Sequence, residues 1–202
     1  MLRAYSAIPL HCLFVLPQEV EFLQQFDGKF PQSTVILNSP SGIVKRWTID
    51  GKNAALLGFP PDSKKGEVSD QTMAEVAAKA EELSKDSDLV IAVSPWGGDL
   101  EKRFVQLYPK VVDLLLGSGQ GRTAKAEQLS PRTYWAPTYT RGKSLLIITM
   151  NQWPTKAAGD WNNLGNYSTY VQALGDNIPD DPDVKAIIDT VPAKEAASET
   201  KS

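Results

Sequence analysis

Residues 54–93, AALLGFPPDSKKGEVSDQTMAEVAAKAEELSKDSDLVIAV, change character twice. The segment opens on a short apolar run (AALLGF) and closes on another (LVIAV). Between them Met73, Val76, Ala77, Ala80 and Leu83 recur at helical spacing, which makes one apolar stripe over about four turns. Ser69 stands where an N-cap belongs. The spacing predicts a helix over residues 70–85, between two buried strands. A strand, helix, strand unit covers a sheet face with its helix, so the predicted class is α/β, with mixed β-sheets and flanking helices.

Working outward, short apolar runs predict strands at 11–16 (HCLFVL), 33–37 (STVIL), 43–49, 54–59, 89–93, 111–116, 133–136 and 144–150. Residues 43–59 read as two strands around Asp50-Gly51, a hairpin signal. A helix is expected over 18–26, since Pro17 suits a first helical turn. Another is marked by Leu100, Phe104 and Leu107, whereas 123–131 is only a weak helix candidate. After Trp153 comes a Gly- and Asn-rich stretch (GDWNNLGNYS), then Asp181-Pro182, which opens a final short helix. The expected organisation is one domain over 1–152, a helical connector over 153–192 and a small, polar, disordered tail over 193–202.

The length of 202 residues suits one sizeable core with appendages. Hydrophobic residues at 42% and charged residues at 22% exclude a disordered, collagenous or coiled-coil chain. A net charge of −3 without a basic cluster speaks against nucleic acid, and Lys102-Arg103 is expected on a solvated helix face. No segment reaches the ~18 apolar residues of a membrane span. Residues 1–16 do not read as a signal peptide, because Pro9 and His11 interrupt the apolar run and no small-residue cleavage site follows. Cys12 is alone, so it forms no intramolecular disulfide and is silent on compartment.

Few residues here carry catalytic chemistry. His11 and Cys12 are neighbours in an expected strand, so their side chains point to opposite faces and make a poor zinc site. There is no G-x-S-x-G, and any Ser or Cys nucleophile would depend on this one histidine. Gly117-Ser118-Gly119-Gln120-Gly121-Arg122 is glycine-rich after an apolar strand, but Arg122 replaces the final glycine of a dinucleotide loop, and a strand-to-loop turn also accounts for it. Asp180, Asp181 and Asp183 can be read as oxygen ligands for a hard cation or as helix capping. Trp47, Trp96, Trp135, Trp153 and Trp161 are scattered; Trp96, after a central strand, is the one singled out for a pocket role.

Taken in order, several segments resemble the later part of the catalytic domain of 5'-nucleotidase-like metallophosphoesterases, over roughly residues 1–150. That family's Gly-Asn-His-Glu motif corresponds to Leu16-Pro17-Gln18-Glu19, which lacks both the Asn and the His. A strand ending in Asn is similar to Val35-Ile36-Leu37-Asn38, and the following hydrophobic strand with Gly to Ala55-Leu56-Leu57-Gly58-Phe59. The Ser-His-x-Gly motif becomes Ser94-Pro95-Trp96-Gly97, and the Gly-Gly-His-x-His motif becomes Gly117-Ser118-Gly119-Gln120-Gly121. The family's opening Asp-x-His and Gly-Asp motifs have no counterpart.

The resemblance therefore implies part of a metallophosphoesterase-like sandwich lacking its first strands and its metal ligands. Two metals generate the nucleophile and clamp the phosphoryl oxygens in such enzymes, and Pro, Gln and Gly cannot hold them. Its implications are no catalytic residue, no metal and no cofactor, and a binding or scaffold role. The alternative is a phosphoester hydrolase completed by another chain or an N-terminal segment. An exposed sheet face would then meet a protein partner or that segment. The loops at 16–18, 94–98 and 117–122 are expected to converge on a vestigial cleft of Gln18, Ser94, Trp96, Asp99, Gln120 and Arg122, where Arg122 favours an anionic small molecule. The compartment is left open: the family resemblance implies an extracytoplasmic protein.

Overall fold

A computed structural model describes residues 2–25, 29–61, 67–117, 126–138, 144–154 and 165–190. In chain order the elements are α1 (Leu2–Ala7), β1 (Leu13–Val15), α2 (Pro17–Leu23), β2 (Thr34–Ile36), β3 (Ile43–Ile49), β4 (Lys52–Gly58), α3 (Asp70–Asp86), β5 (Leu89–Ser94), α4 (Gly98–Leu107), β6 (Leu114–Gly117), β7 (Glu127–Gln128), β8 (Tyr134–Pro137), β9 (Ser144–Met150), β10 (Tyr167–Ala173) and α5 (Pro182–Asp189). The class is mixed α/β, as the periodicity predicts. The chain divides into two compact units, residues 37–175 and the paired ends 1–36 with 176–202.

The larger unit is built on a six-stranded sheet of order β3-β4-β5-β6-β8-β7. Strands β4, β5, β6 and β8 are mutually parallel, while β3 and β7 are antiparallel edges. On α3, Met73, Val76, Ala77, Ala80 and Leu83 are all buried, and Ser69 caps the helix by accepting from Thr72 N at 3.0 Å. This face meets Ala55, Leu57, Val90, Ala92 and Leu115 of the sheet, with Phe104 and Val105 of α4 beside it. Continuous apolar runs such as AALLG in β4 and LVIAV in β5 are what a sheet covered on both faces requires.

The opposite sheet face is covered by the antiparallel hairpin β9–β10. Its inward residues Leu146, Ile148, Met150 and Tyr167 join Ala54, Leu89, Leu114, Tyr134 and Ala136 in a second apolar cluster. The outward row is left to solvent, with Leu145 54%, Ile147 45% and Tyr170 59% exposed. Asp50 and Gly51 both take positive φ, 50° and 75°, at the β3–β4 turn, the requirement that makes Asp-Gly a hairpin signal.

At the amino ends of the parallel strands, the buried Asp113 carboxylate accepts Val90 N and Arg132 Nε, each at 2.7 Å. It ties β5, the approach to β6 and the approach to β8 together.

The smaller unit pairs β1 with β2 in parallel and gathers Leu2, Val15 and Leu23 into its own apolar cluster, and α1 meets α5. Asp181 caps α5, accepting from Asp183 N and Val184 N at 3.0 and 3.1 Å. Capping thus accounts for Asp181, as the alternative to cation binding proposed. Among the described residues no helix is long and apolar enough to cross a membrane.

Several expectations need correction. His11 and Cys12 precede β1 rather than lying in it, because Leu13 is the first residue to pair with β2. Within the weak helix candidate 123–131, residues 127–128 instead pair with β8 as β7. The 153–192 segment holds β10 as well as α5. The tail 193–202 lies outside the described residues.

Candidate functional site

Because β5, β6 and β8 are parallel, their carboxyl ends fall on one edge, and the register sets Ser94, Gly117 and Pro137 side by side there. The loops leaving these strands start from the position where ligands of open α/β sheets bind. Of the residues predicted for a cleft, Ser94, Trp96 and Asp99 are at this edge. Gln120 and Arg122 lie outside the described residues, and Gln18 is a residue of α2 in the smaller unit.

Ser94 is 2% exposed, and its hydroxyl accepts from Trp96 N at 3.2 Å, which turns the loop back on itself. Trp96 is a core residue rather than a pocket wall. Its indole packs 4.6 Å from the Phe59 ring and 5.8 Å from that of Phe104, and Nε1 donates to Pro60 O at 2.7 Å. A buried tryptophan needs a partner for its one N–H, and the carbonyl after β4 supplies it. The side chain two residues past β5 therefore fills the interior.

Glu101 and Trp135 complete the arrangement, and the sequence reading missed both roles. Glu101 is fully buried; one carboxylate oxygen accepts Gly97 N at 3.2 Å and the other Trp135 Nε1 at 2.8 Å. Lys102 Nζ sits 4.6 Å from the centre of the Trp135 ring and pairs with Glu127 at 2.6 Å. A signal was available. Glu101 stands three and four residues before Phe104 and Val105, so it shares the buried face of α4, whereas Leu107, assigned to the apolar stripe, is 51% exposed.

Gly117 belongs to the same arrangement. A Cβ there would run into the Glu101 carboxylate and the Trp135 indole nitrogen, so the glycine is needed for close packing. Asp99 and Glu101 both occupy the first turn of α4, where carboxylates suit the helix dipole. Glu101 also takes up the Gly97 amide that an incoming anion would use. Among the described residues no group of three or more His, Cys, Asp or Glu is placed to hold a metal.

No family model matches the sequence, and no curated protein matches it either. Solved structures do resemble it. The sulfate thiohydrolase SoxB from Thermus thermophilus, solved with glycerol and a member of the 5'-nucleotidase-like metallophosphoesterases, superposes with a TM-score of 0.60 over 87% of this chain at 16% identity. The chain spans 35% of the length of that structure. A hypothetical protein, also from Thermus thermophilus, matches over 82% of this chain and 77% of its own, at 16% identity and a TM-score of 0.48. The likeness to SoxB is one of fold.

Proposed function

We propose that this chain is a 5'-nucleotidase-like metallophosphoesterase domain with a binding or scaffold role in place of hydrolysis. The observation that carries the reading is Trp96. At the carboxyl end of β5, where the resemblance expects a metal-ligand histidine at position 95, the chain has Pro95 followed by an indole held in the core by Pro60 and Phe59. Metal-assisted phosphoryl transfer needs open coordination positions at such an edge. Here the buried groups are satisfied by one another.

The outward row of the β9–β10 hairpin supports a protein partner, or an N-terminal segment, as the occupant of an exposed sheet face. An anionic small molecule at the β5–β6 edge would have to be held against Asp99 and Glu101, so we rank it second.

The test is metal analysis of the purified chain after dialysis against zinc or manganese, together with assays on nucleotides and simple phosphate esters. Substoichiometric metal and no hydrolysis are expected. Two tightly held ions per chain with nucleotide hydrolysis would overturn the reading. A hydrolase completed by residues from elsewhere is the second reading, motivated by the 35% share of SoxB that the chain spans. It requires metal uptake and hydrolysis to emerge when the completing segment is added.

A further inference from the structure

β3 ends the six-stranded sheet. All seven of its residues pair with β4, from Ile43↔Gly58 to Ile49↔Lys52, and among the described residues no strand lies on its other side. Backbone N–H and C=O groups on that side have the geometry of a template for another strand. Natural edges are commonly blunted by shortness, proline, a bulge or exposed charge, lysine above all. β3 is seven residues long, contains no proline, and its register with β4 is unbroken. Its one such device is positive charge: Lys45 and Arg46 are both exposed, which deters neutral or basic strands and favours an acidic one.

Beside this strand opens a cavity of about 350 Å³, with Arg46, Thr48, Asn53, Asp86 and Ser87 among its lining residues. Arg46 and Thr48 come from one face of β3, because side chains two apart share a face. Ser87, at the end of α3, is 3% exposed, and Thr48 Oγ1 donates to Asn53 Oδ1 at 3.2 Å. The cavity and the strand both lie within residues 37–175.

We propose that β3 is a docking edge that accepts an extended, acidic segment of a partner protein as an added strand. Main-chain hydrogen bonds supply attraction in this mode, and side-chain pockets supply selectivity. Successive partner side chains alternate faces, so one carboxylate can meet Lys45 and the next Arg46. Asp86 also lines the cavity, so beside the carboxylate that meets Arg46 the fitting occupant is a neutral hydroxyl or amide side chain. A second copy of this chain fits less well. In antiparallel pairing of β3 with itself, the register centred on Arg46 sets Arg46 opposite Arg46 and a slip to one side sets Lys45 opposite Arg46; only the slip to the other side, with Arg46 opposite Trp47, escapes directly opposed like charges.

The test is selection of a phage-displayed library of random short peptides on the full chain. Acidic, β-branched sequences are expected to dominate. A synthesised winner should protect the amides of 43–49 in hydrogen exchange. The K45E/R46E variant should weaken its binding by about tenfold or more and turn selection toward basic peptides. If that variant fails to fold by circular dichroism, K45Q/R46Q replaces it, with weakened binding as the expected result. Absence of enrichment, winners without acidic bias, protection elsewhere such as the β9–β10 face, or unchanged binding by the folded variant would each overturn the proposal.

Discussion

At the scale of single residues, Glu101 decides what the carboxyl edge of the sheet can do. A buried carboxylate is tolerated when hydrogen bonds satisfy it, and Gly97 N and Trp135 Nε1 do so here. Glu101→Ala leaves both donors unpaired and opens a cavity, so a loss of about 2–4 kcal/mol is expected in urea unfolding at constant m. Glu101→Gln can still accept from Trp135 but sets an amide N–H against Gly97 N, so its loss should be smaller. An alanine variant as stable as the parent would remove Glu101 from this role. The residue was readable in sequence only as one charge among apolar neighbours. Its partner Trp135 is 34 positions away, and no local pattern names such a partner.

At the scale of elements, the β9–β10 hairpin is held to the sheet in part by Tyr167, whose ring lies 4.2 Å from that of Tyr134. Burial first, and then hydrogen bonding with Tyr134, push the Tyr167 phenol from 10.0 up to about 12. A raised folded-state value means the neutral phenol favours the fold. That contribution is complete below pH 10 and is lost as pH rises through about 12. The denaturation midpoint should therefore fall across this window in the parent and fall less in Tyr167→Phe. Equal slopes would show that the phenol does not sense folding. β9 was legible because SLLIITM, of strand length, holds the apolar run LLII. β10 was not, because YSTYVQA follows a Gly- and Asn-rich stretch and exposes much of its length; its strand identity comes from pairing with β9.

At the scale of the whole molecule, the two apolar clusters on the six-stranded sheet are internal to residues 37–175, whereas Leu2, Val15 and Leu23 form a cluster of their own. A unit with its own core can fold alone. Residues 37–175 expressed separately are expected to unfold cooperatively, with dispersed amide resonances. A collapsed species with native-like far-UV but no near-UV circular dichroism would refute this. By itself, the sequence determined the α/β class, the α3 stripe and its Ser69 cap, the Asp50-Gly51 turn and most of the parallel strands. These rest on local periods, caps and turn conformations that act within a few residues. Only the tertiary structure decided that Trp96 is core, that Glu101 and Trp135 close the β5–β6 edge, that Gly117 is a packing glycine and that β3 is an end strand of the six-stranded sheet. Each of those facts depends on which distant segments share a face or an edge, a relation set by packing and register across the chain rather than by the order of residues along it.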